Sequence, residues 1–138
     1  MAVIDMVTGF IEFDVLLRVL LAFVLGLIIA LESVRAGHGK DVRGAVMVCV
    51  TAAFLMTAAQ GFFLGESIAV LGASIIIAMG IFGAGMIRDS AGDATTVWAL
   101  AGLGIVVGLG IYFEAVLAAV LFFILLRFRK PDTKKRKR

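Results

Sequence analysis

The side chains that most often carry out catalysis are scarce in this chain. There is one histidine, His38, in a glycine-flanked loop, and one cysteine, Cys49, inside an apolar run. A nucleophile, a base and an orienting group must meet within hydrogen-bond reach for acyl-transfer chemistry, and a single loop histidine cannot assemble them. No HExxH, no Gly-x-Ser-x-Gly and no pair of intramembrane aspartates is present. A lone cysteine cannot close an internal disulfide and reads as a packed thiol. The expectation is a protein without enzymatic activity.

What remains is a small set of charges. Arg18 lies within an apolar stretch, where an arginine at the helix centre costs about 2.5–3.5 kcal/mol and less near the interface. Asp14 is four residues earlier on the same helical face, so a local ion pair is available. Glu114, in the turn before the last apolar stretch, is a second candidate partner. Arg18 reads either as an interfacial arginine paired locally or as an internal polar site near the outer face.

A second group gathers in the loops of the other side. Glu32 ends the first apolar stretch, Asp41 and Arg43 precede the second, and Arg88, Asp89 and Asp93 lie around the start of the fourth. These charges either set topology in solvent or converge into one cluster. Mg²⁺ usually keeps several waters and takes one or two carboxylates, so Glu32, Asp89 and Asp93 are the candidate ligands; no other cofactor is expected. Thr95 and Thr96 before an apolar run suit helix capping, and Trp98 suits the aromatic belt of a membrane interface.

The elements that must position these groups are membrane helices. Hydrophobic residues make up 62% of the 138 residues and charged residues 17%, with a mean hydropathy of +1.13, against about 45–50% and 25% in soluble domains. A chain this small cannot cover such a core with polar side chains. Five apolar stretches run roughly over 15–31, 44–64, 68–87, 94–111 and 113–126. Their length, Ala and Leu content and lack of alternation predict helices, which satisfy their own backbone in lipid. Residues 1–17 contain Asp5, Glu12 and Asp14 but no basic residue, so the first stretch does not read as a cleavable signal peptide.

Basic residues orient the bundle. From Arg127 onward there are eight basic residues and one acidic, whereas the first 126 hold five basic and nine acidic. With five spans, every basic residue but Arg18 falls on one side. The fold class expected is therefore an all-α, polytopic bundle of about five transmembrane helices. Residues 1–14 form an extracytoplasmic N-terminus, 15–126 the membrane domain, and 127–138 a polybasic cytoplasmic tail. The tail suits anionic lipid rather than nucleic acid, at about 1 kcal/mol per basic residue near the surface.

Small residues recur at helical spacing: Ala22, Gly26 and Ala30; Gly80, Gly83 and Gly85 with Ala84; Gly104 and Gly108. Small residues four apart let helix backbones approach closely in lipid. They predict packing within the chain, with pairing of two copies or contact with another membrane protein as the other uses.

Four stretches in order resemble the N-terminal membrane domain of the MgtC/SapB family. They are LLRVLLAFVLGLIIALE (Leu16 to Glu32), VRGAVMVCV (Val42 to Val50), GIFGAGMIRD (Gly80 to Asp89) and TVWALAGLG (Thr96 to Gly104), the last running on to Gly108 and Gly110. Ser33-Val34 stand where members usually carry a second acidic residue. The loop 90–94 is shorter than usual, and the soluble C-terminal domain of longer members is not expected. The resemblance implies a small multi-pass inner-membrane protein linked to growth at low Mg²⁺. In some members it also implies survival inside host cells and restraint of the F-type ATP synthase. The other reading of the same features is a small oligomeric ion transporter or channel.

Overall fold

The computed structural model describes residues 2–37, 41–62, 65–87 and 91–128. All five elements are helices: α1 Ala2–Arg35, α2 Val42–Phe62, α3 Glu66–Ile87, α4 Ala91–Gly108 and α5 Tyr112–Phe128. No strand occurs among the described residues.

Two boundaries differ from those expected. The first helix begins at Ala2 rather than near residue 15, so residues 2–14 continue the helix of the first apolar stretch. No proline interrupts residues 2–14, and a lone Gly9 costs only about 1 kcal/mol in a helix interior. At about 1.5 Å per residue, these 34 residues reach ~51 Å, well beyond a ~30 Å hydrocarbon core. The last helix includes Arg127, which had been assigned to the tail. Residues 129–138 of that tail lie outside the described residues.

Three segments are long and apolar enough to cross a membrane individually: Glu12–Arg35, Val42–Gly61 and Glu66–Gly85. The apolar helix Gly92–Gly108 and the 17-residue α5 are shorter. A 17-residue helix is about 26 Å long, near the lower limit for a span.

Helix α4 touches all four other helices and makes its most extensive contact with α2. Small residues explain how. A Cβ added at Gly104 would collide with the carbonyl oxygen of Cys49 and come within 2.9 Å of the Ala52 Cβ. One added at Gly108 would lie 2.6 Å from the Ala53 carbonyl oxygen and 2.7 Å from the Met56 Cβ. Two backbones therefore meet without intervening side chains. α1 reaches the same crossing from the other side, where a Cβ at Gly26 would be 3.1 Å from that of Cys49. The Cys49 thiol donates to the Ala22 carbonyl at 3.4 Å, and both residues are fully buried. The single cysteine is a packing residue.

Half of the buried hydrophobic residues are alanine, Ala22 and Ala30 among them, while large side chains such as Phe23, Phe54, Ile77, Ile81, Phe113 and Leu125 point outward. That is the reverse of a water-soluble domain and suits lipid, where close backbone packing rather than hydrophobic burial holds helices together. α3 packs at the edge, against α2 and α4, through Ile68, Leu71 and Ile75 beside Ala52, Met56 and Ile105. Its glycines are not all used. A Cβ at Gly83 would reach the Ala94 carbonyl oxygen at 4.0 Å, whereas Gly80 and Gly85 face open space within this chain. Glycines clustered in two apolar helices thus serve two different situations.

Substitution separates them. Gly104→Ala and Gly108→Ala press a methyl group into backbone that cannot yield and should destabilise the bundle by about 1–3 kcal/mol or more. Gly80→Ala should be neutral or stabilising, by up to about 1 kcal/mol, because it adds helix propensity without a clash. Unfolding by sodium dodecyl sulfate in mixed micelles measures both. Equal midpoints for all three variants would refute this account of the α2–α4 crossing.

Candidate functional site

Polar side chains within the bundle collect at its two ends. The first collection forms where α4 stops. Gly110 adopts φ +79°, a left-handed conformation open to glycine. The Gly110 amide donates to the Val107 carbonyl at 2.9 Å and the Ile111 amide to that of Val106 at 3.3 Å. These two bonds are the pair that closes a helix in a Schellman motif. The carbonyl of Gly108 remains directed outward from the helix end, in low dielectric, and needs donors.

It finds three. Arg18 Nη1 donates to the Gly108 oxygen at 2.9 Å, and Thr57 Oγ1 and Gln60 Nε2 each donate at 3.2 Å. The same Arg18 nitrogen donates to Gln60 Oε1 at 2.7 Å, and Nη2 pairs with the Asp14 carboxylate. Asp14 in turn accepts from the Tyr112 hydroxyl at 2.9 Å. A cation here faces the partial negative charge of the α4 C-terminus as well as Asp14, which offsets part of its desolvation. Gly110 also makes room, since a Cβ there would sit 3.0 Å from Arg18 Nη2. Arg18 Nε is buried and unpartnered among the described residues.

Arg18 is thus both locally paired and internal, with its side chain 16% exposed. Its partners are Asp14, Gln60 and Gly108, while Glu114 is exposed. Thr57, Gln60 and Tyr112 had not been singled out. A signal existed, because Thr57 and Gln60 are polar residues three apart in an apolar helix and so share a face.

The second collection lies at the far end of α1. The Glu32 side chain is 5% exposed, and its two oxygens each meet a guanidinium at 3.5 Å, Arg35 Nη1 on one and Arg127 Nη1 on the other. The neighbouring Ser33 and Thr96 hydroxyls hydrogen-bond at 3.0 Å. Thr95 and Thr96 do not cap α4, which begins at Ala91. Their hydroxyls donate back to the Gly92 carbonyl, both at 2.9 Å, the common use of threonine inside a helix.

Asp41 caps α2 instead. Its carboxylate accepts from the Arg43 amide at 3.0 Å, and its carbonyl accepts from Ala45. Asp41 and Arg43 are exposed, and Asp93 is half-buried in the first turn of α4. Trp98 projects from α4, 54% exposed. Arg88 and Asp89 lie outside the described residues. Among those described, no three His, Cys, Asp or Glu side chains come together to hold a metal ion, and Glu32 already faces two cations.

A sequence model of the MgtC family matches residues 19–135. The chain belongs to the MgtC family. A Haemophilus influenzae protein described as uncharacterized is 32% identical over 80% of this chain and 53% of its own length, so the chain spans about half of that curated relative. No solved structure matches. The family match takes in Glu32, Arg43, Asp89, Trp98 and Arg127 and starts one residue after Arg18. In this MgtC-family chain both polar ends are built on α1, with α2, α4 and α5 supplying partners at the Arg18 end and α4 and α5 at the Glu32 end.

The Arg18 network has a measurable consequence. Arg18→Met leaves Asp14 and the Gly108 carbonyl without their cation and should cost about 1–3 kcal/mol, the usual value of a charged hydrogen bond. Arg18→Lys should recover only part of this, because an ammonium cannot span Asp14, Gln60 and Gly108 together. Hydrogen exchange at the Leu109–Ile111 amides should quicken in both variants. Unchanged exchange there would show that Arg18 does not secure the end of α4.

Proposed function

We propose that this chain is a non-enzymatic, multi-pass protein of the inner membrane that supports growth when Mg²⁺ is scarce. It acts by contact with another membrane complex, of which the F-type ATP synthase is the leading candidate. In this reading the chain crosses five times with the N-terminus outside and the Glu32 end in the cytoplasm, a direction supported by the basic residues Arg35, Arg43 and Arg127 at that end. Membership of the MgtC family supports the link to Mg²⁺. The observation that carries the contact reading is how the buried charges are used. Arg18 is held by Asp14, Gln60 and Gly108, and Glu32 by Arg35 and Arg127, so both serve to lock helices. Large apolar side chains cover much of the helix surface between the two ends, and α3 presents Gly80 and Gly85 with nothing against them.

Complementation of a deletion strain across a Mg²⁺ series tests this. Glu32→Gln and Arg18→Gln should leave the protein in the membrane yet abolish rescue at low Mg²⁺, with membrane potential altered in the same cells. Full rescue by both variants would overturn the proposal. Reporter fusions at residues 1 and 138 should fall in different compartments, and a shared compartment would remove the five-span arrangement.

A second reading, a small oligomeric ion transporter or channel, is favoured by the open glycines of α3, which fit close approach of another copy. Ion flux into liposomes holding the purified protein, above that of empty liposomes, is its signature; absence of flux eliminates it.

A further inference from the structure

Trp98 stands between two depressions on the flank of α4. The smaller, of about 220 Å³, lies between α3, α4 and α5 beside Ile76 and Met79. The larger, of about 400 Å³, is bounded by Ile29 of α1, Thr95 and Trp98 of α4, and Phe122, Leu125 and Leu126 of α5. The two share Trp98, Ala99 and Phe122 in their walls, and the larger is an apolar groove between α1, α4 and α5.

At the Glu32 end the chemistry of the groove changes. Thr95 is exposed, and its hydroxyl keeps lone pairs after donating to Gly92. Arg127 follows Leu126 directly, and its side chain is 67% exposed. It touches Glu32 through Nη1 alone, at 3.5 Å, which leaves the rest of the guanidinium fork able to donate. Arg35 meets the same carboxylate, so two cations face one anion at this rim. The sequence after Arg127 adds seven basic residues and one acidic residue. An apolar slot that ends at a cationic rim matches an anionic amphiphile. The segment 129–138 is too polar to fill such a slot.

We propose that the groove between α1, α4 and α5 binds an acyl chain of an anionic phospholipid whose phosphate is held by Arg127. The acyl chain lies along Phe122 and Leu125 and against Trp98. Arg127 favours the anionic headgroup, because the phosphate charge of a zwitterionic lipid is already offset by the lipid's own ammonium group, whereas that of an anionic lipid is left for the guanidinium to pair. This site differs from general attraction of the tail to a charged surface, because it requires the groove and one arginine at its mouth.

Trp98 is the only tryptophan, so indole quenching reports lipid at this one position beside the groove. The full chain is reconstituted in mixed phosphatidylglycerol and phosphatidylcholine vesicles in which one lipid or the other, at equal mole fraction, carries brominated acyl chains that quench indole. Brominated phosphatidylglycerol should quench Trp98 with about a fivefold preference, the effect of one surface cation on an anionic lipid. R127Q should reduce that preference to near unity. Replacing Lys134, Lys135, Arg136, Lys137 and Arg138 together by Gln should retain it. Equal quenching by the two lipids, a preference that survives R127Q, or one lost with the tail charges would each overturn the proposal. So would a Trp98 shielded from both lipids in proportion to the protein-to-lipid ratio, which would place a second copy in the groove. The Mg²⁺ role stands or falls separately, since it is read from growth rather than from lipid contact.

Discussion

The contact on which the rest of this bundle depends is the meeting of α2 and α4 backbones at Gly104 and Gly108. In lipid, an apolar helix gains nothing by hiding its side chains from water, so association relies on van der Waals packing and on hydrogen bonds between helices. Both require short distances. With Cys49 and Ala53 presenting backbone to Gly104 and Gly108, α4 sits deep enough to touch every other helix. The same approach carries the Gly108 carbonyl to within reach of Thr57 and Gln60, one and about two turns beyond Ala53 on α2. A methyl group at either glycine would therefore disturb the polar end as well as the crossing.

The polar contacts then fix α1. Arg18 and Glu32 are fourteen residues apart, about 21 Å along a helix, and they occupy opposite ends of the bundle. Arg18 ties α1 to α2 and α4, and the Asp14–Tyr112 bond adds α5. At the other end Glu32 reaches α5 through Arg127, and Ser33 reaches α4 through Thr96. A buried arginine and a buried glutamate are costly in a low-dielectric setting unless each is paired. Here the requirement for partners specifies which helices lie beside α1 and in what register. Arg18 meets this with most of its donors placed, although Nε is left over.

Much of this was legible from residue order. Apolar length announced five helices, and small-residue spacing marked Gly26, Gly104 and Gly108, which the fold places at close contacts. The i,i+4 placement of Asp14 and Arg18 announced their pair. What could not be read is what depends on rotation of one helix about another. Gly80, four residues before Ala84, has the small-residue spacing of Gly104 and Gly108 but points elsewhere, as does Gly85. Arg127 looked like a tail charge, because nothing in a single sequence brings it across to Glu32. Thr95 and Thr96 looked like caps, since their hydroxyls suit either a helix start or the carbonyl four residues back, and only the observed start at Ala91 decides. The reach of α1 to Ala2 was hidden by Asp5, Glu12 and Asp14, which interrupt the apolar run without breaking a helix.

An asymmetry follows from where these ties fall. The polar contacts at the two ends run among α1, α2, α4 and α5, whereas α3 leans on α2 and α4 through aliphatic side chains at Ile68, Leu71 and Ile75. Aliphatic contact between helices competes directly with acyl chains of the same polarity, so it discriminates weakly between a helix neighbour and lipid. Hydrogen bonds made within the bundle do not face that competition to the same degree. The open glycines Gly80 and Gly85 thus lie on the helix held by the least selective interactions. A membrane partner could exchange places with lipid along α3 without disturbing the Arg18 or Glu32 ends. That separation gives one small chain a rigid body and an adaptable flank, and it is the physical reason to look for contacts with other membrane proteins along α3.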